Sequence, residues 1–259
     1  KTHPYISTGL SSNKFGIDSK SALHIYKSRN KYNNIQFTGI DMHIGSQITS
    51  IDPFCEAVEK LSELYFELEK DGLKLEHFDV GGGIGVTYNN EQSFTIEDFA
   101  EKTIPLFKRL NCEIIFEPGR FLTANAGILV TEVLYTKQNG DKNFIIVDGA
   151  MNDLLRPSIY EAYHHIQPIQ KFENKKDIIA DVVGPVCESG DYFARDREIS
   201  ESKSGEFLAV MSAGAYGMVM SSNYNGRRRP AEILVDGSKY DVIRSRETFE
   251  HLLWDEKKF

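Results

Sequence analysis

The sequence predicts an α/β part followed by a mainly antiparallel β part. Three observations predict this order. Short apolar strands in the first half alternate with a helix of clear amphipathic period, and each strand ends in glycine or polar residues. After about residue 126 the pattern changes to β-rich runs separated by turn residues. We therefore expect two domains, at residues 1–125 and 126–259.

An amphipathic helix is the clearest element of the first part. Asp52 and Pro53 are typical of a helix start, with Asp as the N-cap and Pro in the first turn. Apolar residues then recur at helical spacing, and Gly72 ends the run. These apolar residues are Phe54, Val58, Leu61, Leu64 and Leu68. The pattern predicts a helix with one buried face.

Three short strands surround this helix, and each leads into a motif suited to chemistry. In chain order, residues 35–48 contain His43-Ile44-Gly45-Ser46, residues 75–80 lead into Gly81-Gly82-Gly83, and residues 114–116 lead into Glu117-Pro118-Gly119-Arg120. In a parallel (β/α)8 barrel the C-terminal ends of the strands carry the active site, so the arrangement predicts part of such a barrel, with about four of its strands.

The second part consists of β-rich runs with turn punctuation, which predicts a mainly antiparallel domain. The runs are residues 128–136, 143–147, 178–183, 207–211 and 231–235. Residues 242–254 are typical of a strand that turns into a short helix.

Composition excludes several classes of protein. The net charge of -8 disfavours a nucleic-acid partner, whose phosphates are usually met by clustered Lys and Arg. Arg227-Arg228-Arg229 is an exception, and we interpret it as a solvated turn because Asn225-Gly226 and Pro230 flank it. The longest apolar runs fall far short of the roughly 18 residues that a membrane-spanning helix needs, so we expect no membrane contact.

The three cysteines, Cys55, Cys112 and Cys187, are widely spaced and odd in number, which argues against a disulfide framework and against a zinc site. We expect no metal, and a reducing cytoplasm fits best. The chain opens Lys1-Thr2-His3-Pro4, without an apolar signal segment or an initiator methionine. We therefore expect it to be a piece of a longer protein.

The motifs of the first part each allow two interpretations. Three consecutive glycines suit phosphate binding, because no Cβ blocks the approach to backbone N–H groups, but they suit a tight turn equally well. His43 suits stacking on a flat cofactor and Ser46 suits donation to phosphate, yet a lone histidine beside a strand is more often a core residue. Glu117 suits a pyridine nitrogen, although Pro118 and Gly119 also fit a type II surface turn.

The second part also contains candidate residues. Arg156 is suited to binding a carboxylate or to a surface salt bridge, and Tyr160 shares its face if the turn is helical. Cys187 follows Gly184-Pro185, so we expect it on a loop, where a thiol can donate a proton; most cysteines are simply buried. Tyr216 has small neighbours that allow a flat ring to approach, and a core role is equally compatible with the sequence.

Taken in order, these motifs resemble the diaminopimelate decarboxylases, which depend on pyridoxal 5'-phosphate (PLP) and are fold-type III relatives of ornithine decarboxylase. The resemblance covers essentially the whole chain. Its segments are residues 2–9, Lys14-Phe15-Gly16, His43-Ile44-Gly45-Ser46-Gln47, Gly81-Gly82-Gly83, Glu117-Pro118-Gly119-Arg120, residues 148–157, Cys187-Glu188-Ser189-Gly190-Asp191, and Tyr216 with Ser222-Asn223-Tyr224-Asn225.

The resemblance implies the C-terminal part of a PLP-binding (β/α)8 barrel followed by the β domain, in a homodimer with shared active sites. It implies that His43 stacks on the cofactor ring as a catalytic and cofactor-binding residue, and that Glu117 pairs with the pyridine nitrogen. The other implied cofactor contacts are Ser46, Gly81, Gly82, Gly83, Gly119, Arg120 and Tyr216. The implied contacts to the far end of the substrate are Arg120, Arg156, Tyr160, Glu188 and Tyr216. Cys187 is implied to donate a proton in the partner's site.

The implied reaction converts meso-diaminopimelate to L-lysine and CO2. The sequence departs from the family in one respect: the lysine that carries the cofactor belongs to a motif like Tyr-Ala-x-Lys-Ala-Asn, which does not occur in these 259 residues. Two alternatives stay open. One is a decarboxylase for another amino acid or polyamine precursor, although Glu188 and the arginines favour a zwitterionic far end. The other is a non-catalytic homologue that has lost the lysine.

Overall fold

The structure, a computed structural model, describes residues 14–170 and 175–257. Residues 2–9, the first segment of the resemblance, lie outside these ranges. The chain divides into two compact units, Lys1–Leu122 (unit 1) and Thr123–Phe259 (unit 2). The assignment of domains to residues 1–125 and 126–259 stays a prediction.

A parallel sheet forms the centre of unit 1. Its strands are β1 (Gly39–Asp41), β2 (His77–Asp79) and β3 (Glu113–Ile115), paired in that order. A single parallel bridge joins Ile48 to Ile84, beyond the ends of β1 and β2, and does not form a further strand. The described residues of this unit therefore contain three strands, where about four were predicted. Because the three strands run in the same direction, their C-terminal ends meet at one edge of the sheet.

Helices cover this sheet, and the amphipathic helix predicted from Asp52 is confirmed. The helices of the first half are α1 (Ser19–Lys27), α2 (Asp52–Lys70), α3 (Ile96–Phe107) and α4 (Gly119–Thr123), and a 3-10 turn spans Arg29–Lys31. Gly72, with φ of +78°, follows the end of α2. The predicted cap is wrong by one position, because Ile51 is the N-cap and Asp52 lies inside the first turn.

The buried face of α2 differs in part from the predicted one. Its buried residues are Phe54, Val58, Ser62, Tyr65 and Leu68, while Leu61 and Leu64 are only half-buried. Spacings of three and four place the buried set on one stripe of the helix. Ser62 is tolerated there because its hydroxyl donates to the carbonyl of Val58 at 2.6 Å, which satisfies its polar group.

Unit 2 contains a mixed sheet of six strands in the order β6-β9-β4-β5-β7-β8. The strands are β4 (Leu129–Asn139), β5 (Lys142–Val147), β6 (Ile166–Pro168), β7 (Asp177–Val183), β8 (Tyr192–Ser200) and β9 (Phe207–Val210). Within the described residues of this sheet, only β5 and β7 pair in parallel, so the predicted mainly antiparallel character is confirmed.

Further elements complete this unit. A hairpin is formed by β10 (Glu232–Asp236) and β11 (Lys239–Arg244), and two short helices are α5 (Arg156–Tyr160) and α6 (Phe249–Leu252). The 3-10 turns are Ala124–Ala126, Met218–Met220 and Tyr224–Gly226. The predicted strand-to-helix segment near the end is confirmed as β11 and α6.

The sequence missed β8, a nine-residue strand in the sheet. Asp196 has φ of +45°, and the pairing with β7 shifts register beside it, between Ala180 and Val182. Such an irregularity interrupts the period-2 alternation by which a strand is recognised in a sequence. In residues 14–170 and 175–257, no helix combines the length and apolar character that crossing a lipid bilayer requires.

Candidate functional site

The glycine motif lies at the C-terminal edge of the unit 1 sheet, directly after β2. Gly81 and Gly83 have φ of +72° and +102°, in the left-handed region that favours glycine. A Cβ on Gly82 would collide with the carbonyl oxygen of Glu117, and one on Gly83 would lie 2.5 Å from that of Gly45. The fold therefore requires glycine at these positions, because carbonyl groups of the neighbouring loops fill the space that a side chain would take.

Backbone and side-chain hydrogen bonds fix this loop against the segment after β1. The N–H of Ile48 donates to the carbonyl of Gly83 at 2.9 Å, and the N–H of Gly85 donates to the carbonyl of Ile48 at 2.9 Å. The Gln47 amide donates to the carbonyl of Val86 at 2.5 Å and accepts from its N–H at 3.1 Å. The two loops are therefore joined along their length.

His43 lies beside the glycine loop with its side chain exposed. Its Nδ1 accepts from the N–H of Gly82 at 3.3 Å, which leaves the proton of the neutral ring on Nε2. The interpretation of His43 as a buried core residue is therefore wrong, and an exposed imidazole held by the loop is available for stacking.

Arg120 brings positive charge to the same edge of the sheet. Its side chain is only 8% exposed, and its guanidinium donates to Ser46 Oγ at 2.9 Å and to Tyr88 Oη at 3.1 Å. The Ser46 hydroxyl lies in the motif after β1 and Arg120 in the motif after β3, so this contact joins two of the predicted motifs. A guanidinium and backbone N–H groups are the donors that phosphate binding uses.

The motif after β3 does not form the type II turn that its Pro and Gly suggest. Gly119 lacks the positive φ that this turn requires and instead begins α4, where the N–H of Leu122 donates to the carbonyl of Pro118 at 3.0 Å. The N–H of Glu117 donates to the carbonyl of Gly81 at 2.9 Å, and its side chain is exposed. The backbone of Glu117 is thus bonded to the glycine loop, and its carboxylate is exposed beside it.

We expect Gly82→Ala to destabilise the protein by about 1–3 kcal/mol, because the new methyl group meets backbone that cannot move cheaply. Gly119→Ala is the matched control: a Cβ there meets nothing within 4 Å, and alanine favours a helix. Urea unfolding of both variants measures the difference. Equal free energies of unfolding would contradict the steric argument.

In unit 2, Arg156 is buried rather than at the surface. Its side chain is 6% exposed, and Nη1 lies 2.8 Å from Nε2 of His164. The other ring nitrogen, Nδ1, lies 2.8 Å from the carbonyl oxygen of Met211, which only accepts, so Nδ1 carries the proton and Nε2 accepts from Arg156. The surface salt bridge considered for Arg156 is therefore wrong. Tyr160 follows it by four residues in α5, as expected for a shared helical face.

His164 titrates far below its ordinary range. Burial, with the nearby Arg156 and Arg197 guanidinium groups, lowers its pKa from 6.5 to about 4. The ring is therefore neutral at neutral pH, as its acceptor role toward Arg156 requires.

The stability of the protein should consequently fall as the pH falls from 6.5 to 4. In that window the unfolded chain binds a proton at His164 that the folded chain does not, which removes about 3 kcal/mol. In His164→Gln, the amide can accept from Arg156 and donate to Met211 without titrating. We expect this variant to lose that pH dependence in urea unfolding at pH 7 and pH 4.5; parallel profiles for the two proteins would refute the assignment.

The loop of residues 184–191 carries Cys187 and Glu188, both exposed. The expected loop location of Cys187 is confirmed. Glu188 accepts from Tyr224 Oη at 3.3 Å, and its charge and this bond raise the pKa of the Tyr224 hydroxyl. Residues 222–225 of the resemblance therefore meet the Cys187 segment.

Tyr216 lies on another loop of unit 2, and 42% of the residue is exposed. Its φ of +59° costs about 1–3 kcal/mol for a bulky residue, and such outliers cluster at functional sites. Tight packing maintains this conformation: a Cβ on Gly214 would collide with the carbonyl of Thr123, and one on Gly217 with that of Ala213.

The interpretation of the arginine run as a solvated turn is wrong for Arg227. Its Nε donates to Asn152 Oδ1 at 2.8 Å and its Nη2 to the carbonyl of Asp148 at 2.5 Å, and it lies 3.7 Å from the carboxylate of Asp153. Arg229 is also paired, with Glu247, and lowers the pKa of that carboxyl to about 2. Arg227 therefore anchors the loop that leads to Arg156.

The structure thus places the candidate residues in two sets. Unit 1 brings together His43, Ser46, Gly81, Gly82, Gly83, Glu117, Gly119 and Arg120. Unit 2 contains Arg156 and Tyr160 on α5, Cys187 and Glu188 on a neighbouring loop, and Tyr216 on a third segment. The described ranges bring together no group of three His, Cys, Asp or Glu residues suited to a metal ion.

Sequence reasoning missed His164, assigned Arg227 to a solvated turn, and named Asp191 only as part of a motif. Each acts through contacts with residues distant in the chain, for example 47 positions between His164 and Met211 and 75 between Arg227 and Asn152. The only signal for Asp191 was its place in the motif after Cys187.

Comparison with known proteins gives consistent matches. Residues 1–124 match the family model described as the pyridoxal binding domain of pyridoxal-dependent decarboxylases. The diaminopimelate decarboxylase of Aquifex aeolicus is 49% identical over 254 residues, which cover 98% of this chain and 60% of that protein. That of Haemophilus influenzae is 49% identical over 97% of this chain and 60% of its own length.

The fold also matches solved structures. The crystal structure of diaminopimelate decarboxylase from Helicobacter pylori complexed with L-lysine has a TM-score of 0.92 at 43% identity, over 98% of this chain and 63% of that one. The M. jannaschii enzyme in co-complex with L-lysine has a TM-score of 0.91 at 38% identity, over 99% and 61%. The expected fold of partial barrel and β domain is confirmed. The chain spans about three fifths of the length of the curated relatives it matches.

Proposed function

We propose that the chain belongs to the pyridoxal-dependent decarboxylases and that the complete protein is a diaminopimelate decarboxylase, which converts meso-2,6-diaminopimelate to L-lysine and CO2. The observation that carries the proposal is 49% identity over nearly the whole chain. The arrangement of the candidate residues supports it independently.

The unit 1 edge fits PLP in charge. Arg120 and Ser46 are hydrogen-bonded to each other beside the loop of Gly81, Gly82 and Gly83, and both can donate to a phosphate. When bound, PLP supplies an electron sink for the electron pair of the broken carbon–carboxylate bond.

Each side chain around this surface has a separate task in the proposal. The Glu117 carboxylate would keep a proton on the pyridine nitrogen, and the exposed His43 imidazole would pack against the ring. The N–H of Gly119 and the guanidinium of Arg120 would add contacts to phosphate or to a substrate carboxylate.

Unit 2 would bind the far end of the substrate, which carries an amino group and a carboxylate. The buried Arg156 suits the carboxylate, with Tyr160 on the same face of α5, and the exposed Glu188 suits the ammonium group. Arg120 and Tyr216 would complete the contacts. A polyamine precursor that lacks a far-end carboxylate would leave a guanidinium uncompensated, which favours diaminopimelate over such substrates.

Cys187 would supply the proton that replaces the lost carboxylate on the reacting carbon. Its thiol is exposed on a loop, as a residue that reaches into a partner's site must be. We therefore propose a homodimer with shared active sites. A cytoplasmic location is part of the same proposal, supported by the three free cysteines.

Two measurements on the complete protein test the proposal. One is release of CO2 and L-lysine from meso-diaminopimelate, compared with release of CO2 from ornithine, arginine and lysine. The other is borohydride treatment followed by peptide mass analysis, which makes a lysine–cofactor bond permanent and identifies the lysine. Preference for ornithine or arginine would favour the alternative decarboxylase. Absence of turnover and of a labelled lysine would favour the non-catalytic homologue.

A further inference from the structure

Two loops of unit 2 carry proposed substrate residues, and one buried carboxylate contacts both. The first loop, residues 148–155, leads into Arg156; the second, residues 184–191, contains Cys187. Asp191 is buried, with 4% of the residue exposed. Its Oδ1 accepts from the N–H of Met151 and its Oδ2 from the N–H of Val186, each at 2.7 Å.

The contacts of Asp191 divide evenly between the loops, with one oxygen for each. Val186 directly precedes Cys187, and Met151 lies five residues before Arg156. A carboxylate is suited to this task because both of its oxygens accept, whereas an amide of the same shape has one acceptor and one donor. An amide would place an N–H against another N–H.

Other contacts hold Asp191 in place. Its N–H donates to the carbonyl of Glu188 at 3.0 Å, and its carbonyl accepts from the N–H of Gly184 at 3.2 Å. A Cβ on Gly184 would lie 2.6 Å from Oδ1 of Asp191, so the carboxylate packs directly on that glycine. The Ser158 hydroxyl links α5, which follows the first loop, to the second loop by donating to the carbonyl of Gly190 at 2.5 Å.

Burial of a carboxylate at this position costs free energy that burial of an apolar side chain would not. Burial raises the pKa of the Asp191 carboxyl, while the two N–H groups and the charge of Arg227 lower it. A buried carboxylate is expensive unless its hydrogen bonds are satisfied, so the two backbone donors are what make it tolerable here. The side chain is therefore matched to the two loops it joins.

We propose that Asp191 is a positioning residue that sets the placement of Cys187 and Glu188 relative to Arg156 and Tyr160. The proposal rests on the proposed function for its catalytic consequence. Its structural core, the coupling of the two loops through one carboxylate, stands on the hydrogen bonds alone.

The test is Asp191→Asn in the complete protein, with Asp177→Asn as the matched control. Asp177 is an exposed carboxylate of the same unit whose side chain accepts from Ser200 Oγ at 2.7 Å. Hydrogen exchange measured at Met151 and Val186 reports the loop contacts directly. We expect faster exchange at one or both amides in Asp191→Asn and unchanged exchange in the control.

Kinetics separate positioning from loss of folded protein. Misplacement of the binding and proton-donating residues should lower kcat and raise KM together, with kcat/KM reduced by about 10- to 100-fold. A smaller folded fraction lowers the apparent kcat and leaves KM unchanged. The proposal would be overturned if exchange at both amides and the kinetic constants stayed within about twofold of the control. A tenfold reduction in kcat/KM corresponds to about 1.4 kcal/mol.

A milder variant keeps the proposal testable if Asp191→Asn does not fold. Ser158→Ala removes only the hydroxyl link to Gly190, and we expect faster exchange at Val186 and a smaller rise in KM. No change in either would contradict loop coupling. If the wild-type protein does not decarboxylate diaminopimelate, the proposed function fails, and the exchange measurements still decide whether Asp191 couples the loops.

Discussion

Replacement of Cys187 by Ala in the complete protein should lower kcat for diaminopimelate by about 10²- to 10⁴-fold, the range that a positioned proton donor contributes. KM should change little, because the thiol is assigned to protonating the reacting carbon and not to holding the substrate. The exposed position of Cys187 on its loop means that its removal leaves no cavity and little loss of stability. Steady-state kinetics and urea unfolding measure both quantities.

Cys55→Ala is the control for this prediction. Cys55 is half-buried in α2, where burial raises the pKa of its thiol, and it has no assigned role. We expect a normal kcat for this variant and a modest loss of stability. If Cys187→Ala kept kcat within a few fold of the wild-type value, another group or water would have to supply the proton.

Glu117→Gln should lower kcat by about 10²- to 10³-fold, the effect of removing one group placed to stabilise developing charge. An amide cannot keep the pyridine nitrogen protonated as a carboxylate does, so the electron sink is weakened. The cofactor should still bind, because its phosphate is proposed to be held by the glycine loop, Ser46 and Arg120. Kinetics and the cofactor content of the purified variant test the two parts separately.

Glu113→Gln is the matched control, since Glu113 is an exposed carboxylate on β3, only four residues earlier. It should keep both kcat and cofactor content. Loss of cofactor from Glu117→Gln would assign the carboxylate a binding role instead, and normal turnover would remove Glu117 from the chemistry.

Local patterns account for what the sequence could predict. The α2 helix follows from a period of about 3.6 residues in the apolar positions. The motifs at the strand ends were expected to lie together because parallel strands end at the same edge of a sheet. The glycine motif allowed both a tight turn and a phosphate site. The structure supports the tight turn, because Gly81 and Gly83 have positive φ and carbonyl groups of the neighbouring loops exclude a Cβ; the phosphate site stays a prediction.

Long-range contacts explain what the sequence could not predict. Arg156 was a candidate from its motif, but its burial depends on His164 and Met211, which the chain brings to it from later segments. The role of Arg227 depends on Asn152, 75 residues away. No local period encodes such pairs. The roles assigned to the site residues stay predictions until the variants are measured.

The hydrogen bonds that join the glycine loop to the segment after β1 have a consequence for ligand affinity. The Gln47 amide and the backbone of Ile48 fix this loop to its neighbour without any ligand contact. The loop is therefore preorganised: a ligand bound there, as proposed, would meet a backbone whose conformational entropy was lost during folding. Little ordering cost is left for the binding step, so more of the interaction energy appears as affinity.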